Sequence, residues 1–192
     1  MRLSVRAITA ALFLMMSGAA AIADDEAAKY ADAIKLFQDA GASSGFFNNS
    51  YGYAIFPTIG KAGLGIGGAH GKGRVYVANK PVGTTKMTQL SFGWQAGAQG
   101  YSLIIFFEDQ RAFNEFTSGN FEFGANASAV VITAGASAGA STGGSSAGAS
   151  GGKKDATTVG SYNKGMAPFT IIKGGLMYEA AIAGAKFSYK PL

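Results

Sequence analysis

The stretch Tyr53-Ala-Ile-Phe-Pro-Thr-Ile-Gly-Lys-Ala-Gly-Leu-Gly-Ile-Gly-Gly-Ala-His-Gly-Lys-Gly73 decides the fold. Tyr53 to Pro57 is a short apolar strand closed by a proline, which has no N–H to give a ladder. From Lys61 to Gly68, Ala62, Leu64 and Ile66 alternate with Gly63, Gly65 and Gly67, the period of a strand with one face stripped of side chains. A glycine face inside a strand marks the close approach of another element, since only an absent Cβ admits it. His70-Gly-Lys-Gly73 has the composition of a turn and Arg74-Val-Tyr-Val-Ala78 that of a returning strand, so this region predicts a hairpin.

The same alternation continues downstream. Ser91 to Gln99 sets Phe92 and Trp94 against Ser91, Gly93, Gln95 and Gly97, a half-buried strand with Trp94 expected in the core. Leu103 to Phe107 is continuously apolar, as a strand covered on both faces must be. Asp109 follows as the cap of a short helix through Phe116, with Ala112, Phe113 and Phe116 inward and Arg111 and Glu115 paired one turn apart. Phe121 to Thr133, Phe169 to Glu179 and Ala181 to Phe187 also read as strands. Upstream, Ala27, Tyr30, Ala31, Ile34 and Phe37 recur at helical spacing from Asp24 to Ala40, before the stop at Gly41. The expected fold class is α+β: a mostly antiparallel, glycine-rich sheet, barrel- or sandwich-like, with an N-terminal helix and a short central helix.

Composition bounds the rest. Twenty-nine of 192 residues are glycine, about twice the usual share of roughly 7%, yet 48% of the chain is hydrophobic, enough to build a core. There is no cysteine and one histidine, His70, which excludes disulfides, thiolate metal sites and catalytic cysteines. Arg2 and Arg6, the apolar run Ala7 to Met16 and the small-x-small site Ala21-Ile-Ala23 form a secretory leader, residues 1–23, expected to be cleaved after Ala23. Residues 24–192 are then a single domain, interrupted by a Gly/Ala/Ser-rich loop at about 141–156. Of 16 basic residues two lie in the leader, leaving 14 against 11 acidic ones. That mild excess suits an anionic surface and lacks the dense basic blocks of a nucleic-acid binder.

Catalytic motifs match in letters only. Gly63 to Gly68 spells G-x-G-x-x-G, but a second strand follows it where a dinucleotide site needs a helix and an acidic residue. Gly135-Ala-Ser-Ala-Gly139 spells a nucleophile elbow, as do three neighbouring windows, and the only histidine precedes them all. The adjacent Glu108 and Asp109 are better placed for capping than for paired acid–base work. The expected protein is not an enzyme and carries no cofactor or metal.

Three ordered blocks resemble the SYLF-domain family, the lipid-binding and yeast actin-patch type: Tyr53 to Gly73; Ser91 to Gln99 with Leu103 to Asp109; and Ser161-Tyr-Asn-Lys-Gly-Met166 with Gly174 to Lys186. The resemblance implies a non-enzymatic domain that associates with anionic phospholipid or another envelope lipid, in an exported protein of the periplasm or envelope, periplasmic or extracellular. It implies Lys61 as the family's lysine, with Lys72 and Arg74 on the adjoining hairpin. Lys153 and Lys154 are expected as a mobile auxiliary contact. Phe46, Phe47 and Tyr51 are expected to supply insertion into the membrane. Alternatives of another class are a structural or protein-interaction component of the envelope, with a protein partner or homo-oligomer, and a small outer-membrane β-barrel.

Overall fold

The computed structural model describes residues 24–124, 127–132, 161–175 and 182–192, and only the backbone of residues 64, 65, 91–96, 174 and 175. The leader, the loop at 141–156, the side chain of Trp94 and the Cβ position of Gly65 lie outside these. Helix α1 (residues 24–39) is followed by two single turns, α2 (Gly41–Ser44) and α3 (Phe46–Asn49). Two long strands come next, β1 (Gly52–Val77) and β2 (Lys80–Phe107), then helix α4 (Gln110–Phe116). Short strands β3 (Phe121–Glu122) and β4 (Val130–Ile132) precede β5 (Met166–Gly175) and β6 (Lys186–Pro191). The strands form one curled, half-barrel sheet in the order β3-β6-β2-β5-β4, with β1 also paired to β2. The α+β class is as the alternation predicts.

The turn lies elsewhere than the sequence reading puts it. β1 runs unbroken through His70 to Gly73, and the reversal is at Ala78-Asn79, whose φ values of 49° and 61° are the left-handed pair of a two-residue hairpin turn. Gly71 and Gly73 serve contact instead. A Cβ on Gly73 would stand 2.7 Å from the Ile55 carbonyl oxygen and from the Phe56 ring, and one on Gly71 would stand 3.1 Å from the Thr58 carbonyl oxygen. A Cβ on Gly63 would collide with the backbone of Gly67. The β1–β2 ribbon is therefore doubled over near residue 65, with the two arms of β1 face to face.

Between the arms lies the first core: Ala54, Phe56, Ile59, Ala69, Val75, Met87, Tyr101, Leu103, Ile105 and Phe107, closed by Phe116 of α4 and Phe187 of β6. Phe116 and Phe187 pack at 5.3 Å between ring centres, and Phe56 and Phe187 at 5.6 Å. On the opposite face α1 buries Tyr30, Ala33 and Phe37 over Tyr53, Ile55, Ile104, Phe106 and Phe169. Leu103 to Phe107 is thus covered on both sides, every residue fully buried, which is what its unbroken apolar run demands. Asp109 caps α4 by accepting a 2.8 Å hydrogen bond from the Ala112 N–H, and Arg111 pairs with Glu115 at 3.4 Å.

The strands beyond are shorter than the apolar pattern suggests. Within Phe121 to Thr133 the described residues give β3 and β4, with Phe123, Gly124, Ala127 and Ala129 outside any strand, and the closing strand begins at Lys186. Phe46 and Phe47, expected to insert into a membrane, are occupied. Phe46 packs on Phe169 at 5.0 Å and Phe47 on Phe106 at 4.9 Å.

Candidate functional site

Strand alternation and register together decide which cations share a surface. β1 pairs with β2 and β2 with β6, so three cross-strand rows follow: His70–Thr88–Lys186, Lys72–Lys86–Ser188 and Arg74–Thr84–Lys190. Their inward neighbours Gly71, Val75, Met87 and Phe187 are buried, while Lys72, Lys86, Lys186 and Lys190 are exposed on the outer face. Adjacent strands are about 4.8 Å apart, so Lys72 and Lys86 stand directly opposite each other, a like-charge pairing that costs free energy in an isolated sheet. Two cations of the face are engaged. Arg74 holds Glu26 of α1 at 3.5 Å and lies 4.3 Å over the Tyr30 ring, and Lys186 holds Glu122 at 3.6 Å. Lys72, Lys86 and Lys190 make no ion pair among the described residues.

The same face turns apolar toward the bend. Leu90 continues the line of Thr84, Lys86 and Thr88, and Ile66 continues that of His70 and Lys72. They are among the most exposed large hydrophobic side chains, at 74% and 65%. A surface with free lysines in its middle and bare aliphatic side chains at its tip suits the interface of an anionic bilayer, where charge meets head groups and the tip meets acyl chains. No helix among the described residues is long and apolar enough to cross a membrane. No three His, Asp or Glu side chains among them converge to hold a metal ion.

The residues singled out from the sequence fall in different places. Lys72 and Arg74 are on this face, Arg74 largely committed to α1. Lys61 is inside, only 4% exposed, opposite Gln99 in the β1–β2 ladder. The cause is the irregularity between Phe56 and Ile59. Its one extra residue shifts the phase of β1, so that Ile59 and Lys61 take up the inward face that Ala54 and Phe56 held. Ser102 secures that bulge by donating to the Pro57 carbonyl at 2.7 Å. Lys153 and Lys154 lie outside the described residues. Sequence reasoning missed Lys86, Lys186, Lys190, Ile66 and Leu90. Their signal was there: Thr84-Lys86-Thr88-Leu90 and Lys186-Ser188-Lys190 each alternate with buried residues.

Burial also acts on the tyrosines around the cores. It pushes the Tyr53 hydroxyl up to about 12, with Tyr76 beside it adding to the effect, and the Tyr162 hydroxyl up to about 12, with Glu108 adding. Tyr101, inside the first core, is raised by burial further still. These groups stay neutral at any physiological pH, so the face's charge is set by its lysines and arginine.

A profile of the family described as Ysc84, Las17-binding protein actin regulator, matches residues 88–188, from the middle of β2 into β6. The Beta cell expansion factor A of Aeromonas veronii is 31% identical over 156 residues, which is 80% of this chain and 51% of that protein. The chain spans about half the length of this curated relative.

Proposed function

From the premise that the chain belongs to the Ysc84 family, the SYLF-domain proteins, we propose that it is an exported, non-enzymatic lipid-binding domain that associates reversibly with anionic membrane surfaces. The observation that carries this is the outer face of β1, β2 and β6, where Lys72, Lys86 and Lys190, without an ion pair among the described residues, adjoin exposed Ile66 and Leu90. Each lysine near an anionic surface contributes about 1 kcal/mol. Burying the exposed parts of Ile66 and Leu90 adds about 1–2 kcal/mol each. Together these amount to about 5–7 kcal/mol, an affinity of order ten to a few hundred micromolar, weak and salt-sensitive. The family's descriptive name points to protein partners of the actin-regulating kind; for a chain whose first 23 residues read as a secretory leader, the envelope lipid is the partner we propose for this face.

The test is co-sedimentation of the protein lacking residues 1–23 with vesicles of phosphatidylcholine alone or with a third phosphatidylglycerol. Binding should require the anionic lipid and fade as salt is raised. Replacing Lys72, Lys86 and Lys190 by glutamate should abolish it. A folded triple variant that binds as the parent does would overturn the assignment to this face. Equal binding to neutral vesicles would overturn the electrostatic part.

A further inference from the structure

Between the two arms of the doubled ribbon, close to the bend, lies an open cleft of about 1110 Å³. Its walls are small residues on facing segments: Gly60 and Ala62 beside Ala98 and Gly100 on one arm, Gly68 and Ala69 on the other. Polar side chains interrupt them, His70, Thr88, Gln89, Glu122 and Lys186 among them, and two more, Lys61 and Gln99, stand opposite each other in the β1–β2 ladder. Lys61 is 4% exposed and makes neither an ion pair nor a hydrogen bond among the described residues. Gln99, its cross-strand partner, is 5% exposed, and its Oε1 is buried with no donor among the described residues. A mostly buried ammonium that opens only onto this cleft, with no counter-charge among the described residues, is unfavourable, and so is a sealed amide oxygen with nothing to accept. Both costs are relieved at once by a ligand that brings an anionic oxygen to Lys61 and a hydroxyl to Gln99.

We propose that this cleft is a binding site for a single anionic amphiphile, with its phosphate or carboxylate head on Lys61, a head-group hydroxyl donating to Gln99 Oε1, and its alkyl chain between the glycine- and alanine-lined arms. A bare anion would leave most of the volume unfilled, since pockets of roughly 300–1,000 Å³ already enclose whole organic ligands. The alkyl chain has an exit over Leu90, which lines the cleft and is 74% exposed at the bend. Glu122 and Lys186, paired at 3.6 Å, stand at the same rim. The choice of an amphiphile rests on the lipid-binding reading above; Leu90 is shared, but the charged and polar residues are distinct: the surface face uses Lys72, Lys86 and Lys190, the cleft Lys61 and Gln99.

The experiment is thermal unfolding of the protein lacking residues 1–23 with monomeric dodecyl phosphate, decanoate, dodecyl maltoside or inorganic phosphate, each below its micellar concentration where it has one. Dodecyl phosphate and decanoate should each raise Tm, by about 5–10 °C at about one hundred times the dissociation constant. Lys61→Met should lose that shift while unfolding, without ligand, at or above the parent's temperature, because it removes an unpaired charge. Gln99→Leu provides the second variant and should reduce the dodecyl phosphate shift. The Lys72→Glu, Lys86→Glu, Lys190→Glu variant should keep the shift although it no longer binds vesicles, which separates this proposal from the surface reading. An equal shift with dodecyl maltoside, or an undiminished one in Lys61→Met, would overturn the head-group site. An equal shift with inorganic phosphate would overturn the amphiphile.

Discussion

The doubling of β1 predicts that alanine in place of Gly73 is costly although it adds one methyl group to a strand. The new Cβ would sit 2.7 Å from the Ile55 carbonyl oxygen and 2.7 Å from two atoms of the Phe56 ring. Ordinary contact starts near 3.4 Å, so about 0.7 Å must be found. Neither neighbour yields readily. The carbonyl belongs to a paired strand, and the Phe56 ring is fully buried against Phe187. Overpacking of this kind costs about 1–3 kcal/mol. With a urea m-value near 2 kcal/mol/M, the midpoint should fall by about 0.5–1.5 M at unchanged m. Gly60 is the control, since a Cβ there meets nothing within 4 Å. Alanine at Gly60 should leave the midpoint unchanged or raise it by a few tenths of a molar, because it restricts the unfolded chain. Equal midpoints for Gly73→Ala, Gly60→Ala and the parent would show that the arms of β1 do not touch, and the doubled ribbon would be wrong.

Three further outcomes follow from the contacts described. Asp109→Ala removes the acceptor of the Ala112 N–H and should lower stability by about 1 kcal/mol, read as a urea midpoint shift; no shift would mean that the cap is idle. Arg74→Ala loosens α1 from the second arm of β1 by removing both the Glu26 pair and the stack on Tyr30, leaving the packing around Tyr76. The loss should be about 1 kcal/mol, with faster amide exchange in residues 24–39 and little change in β5. Tyr53 and Tyr162 titrate higher folded, about 12, than unfolded, so the stability they support is fully present below pH 10 and is lost as pH rises from 10 through 12. Ultraviolet titration should show late-ionising tyrosines and alkaline unfolding in that window; full ionisation near pH 10 with the fold intact would contradict their burial.

Much of the fold is legible where one physical rule acts alone. The unbroken run Leu103 to Phe107 admits only a strand buried on both sides, and Asp109 before Ala112 and Phe116 admits a capped turn of helix. Glycine alternation correctly signals close approach, but local composition cannot name the approaching partner, which here is the other arm of the same strand. For that reason His70-Gly-Lys-Gly73 resembles a turn while the true reversal, Ala78-Asn79, carries no glycine. Lys61 was misplaced for a related cause. A bulge after Phe56 reverses which residues face inward, and nothing in the alternation beyond Pro57 announces it. The lysine face escaped because its members lie on three strands separated by up to 118 positions, and only register brings Lys72, Lys86 and Lys190 onto one surface.

The central claim is that this face, led by the bend, is what meets the membrane. Because the chain has no cysteine, a single introduced one is a unique label. An environment-sensitive fluorophore at Leu90→Cys, compared with one at Asn114→Cys on α4 beside Phe107 at the other end of the ribbon, reads insertion directly. On vesicles containing anionic lipid the Leu90 label should shift to the blue and become shielded from an aqueous quencher, while the Asn114 label stays in water. A shielded Asn114 label with an unshifted Leu90 label, on protein that is demonstrably bound, would contradict the account.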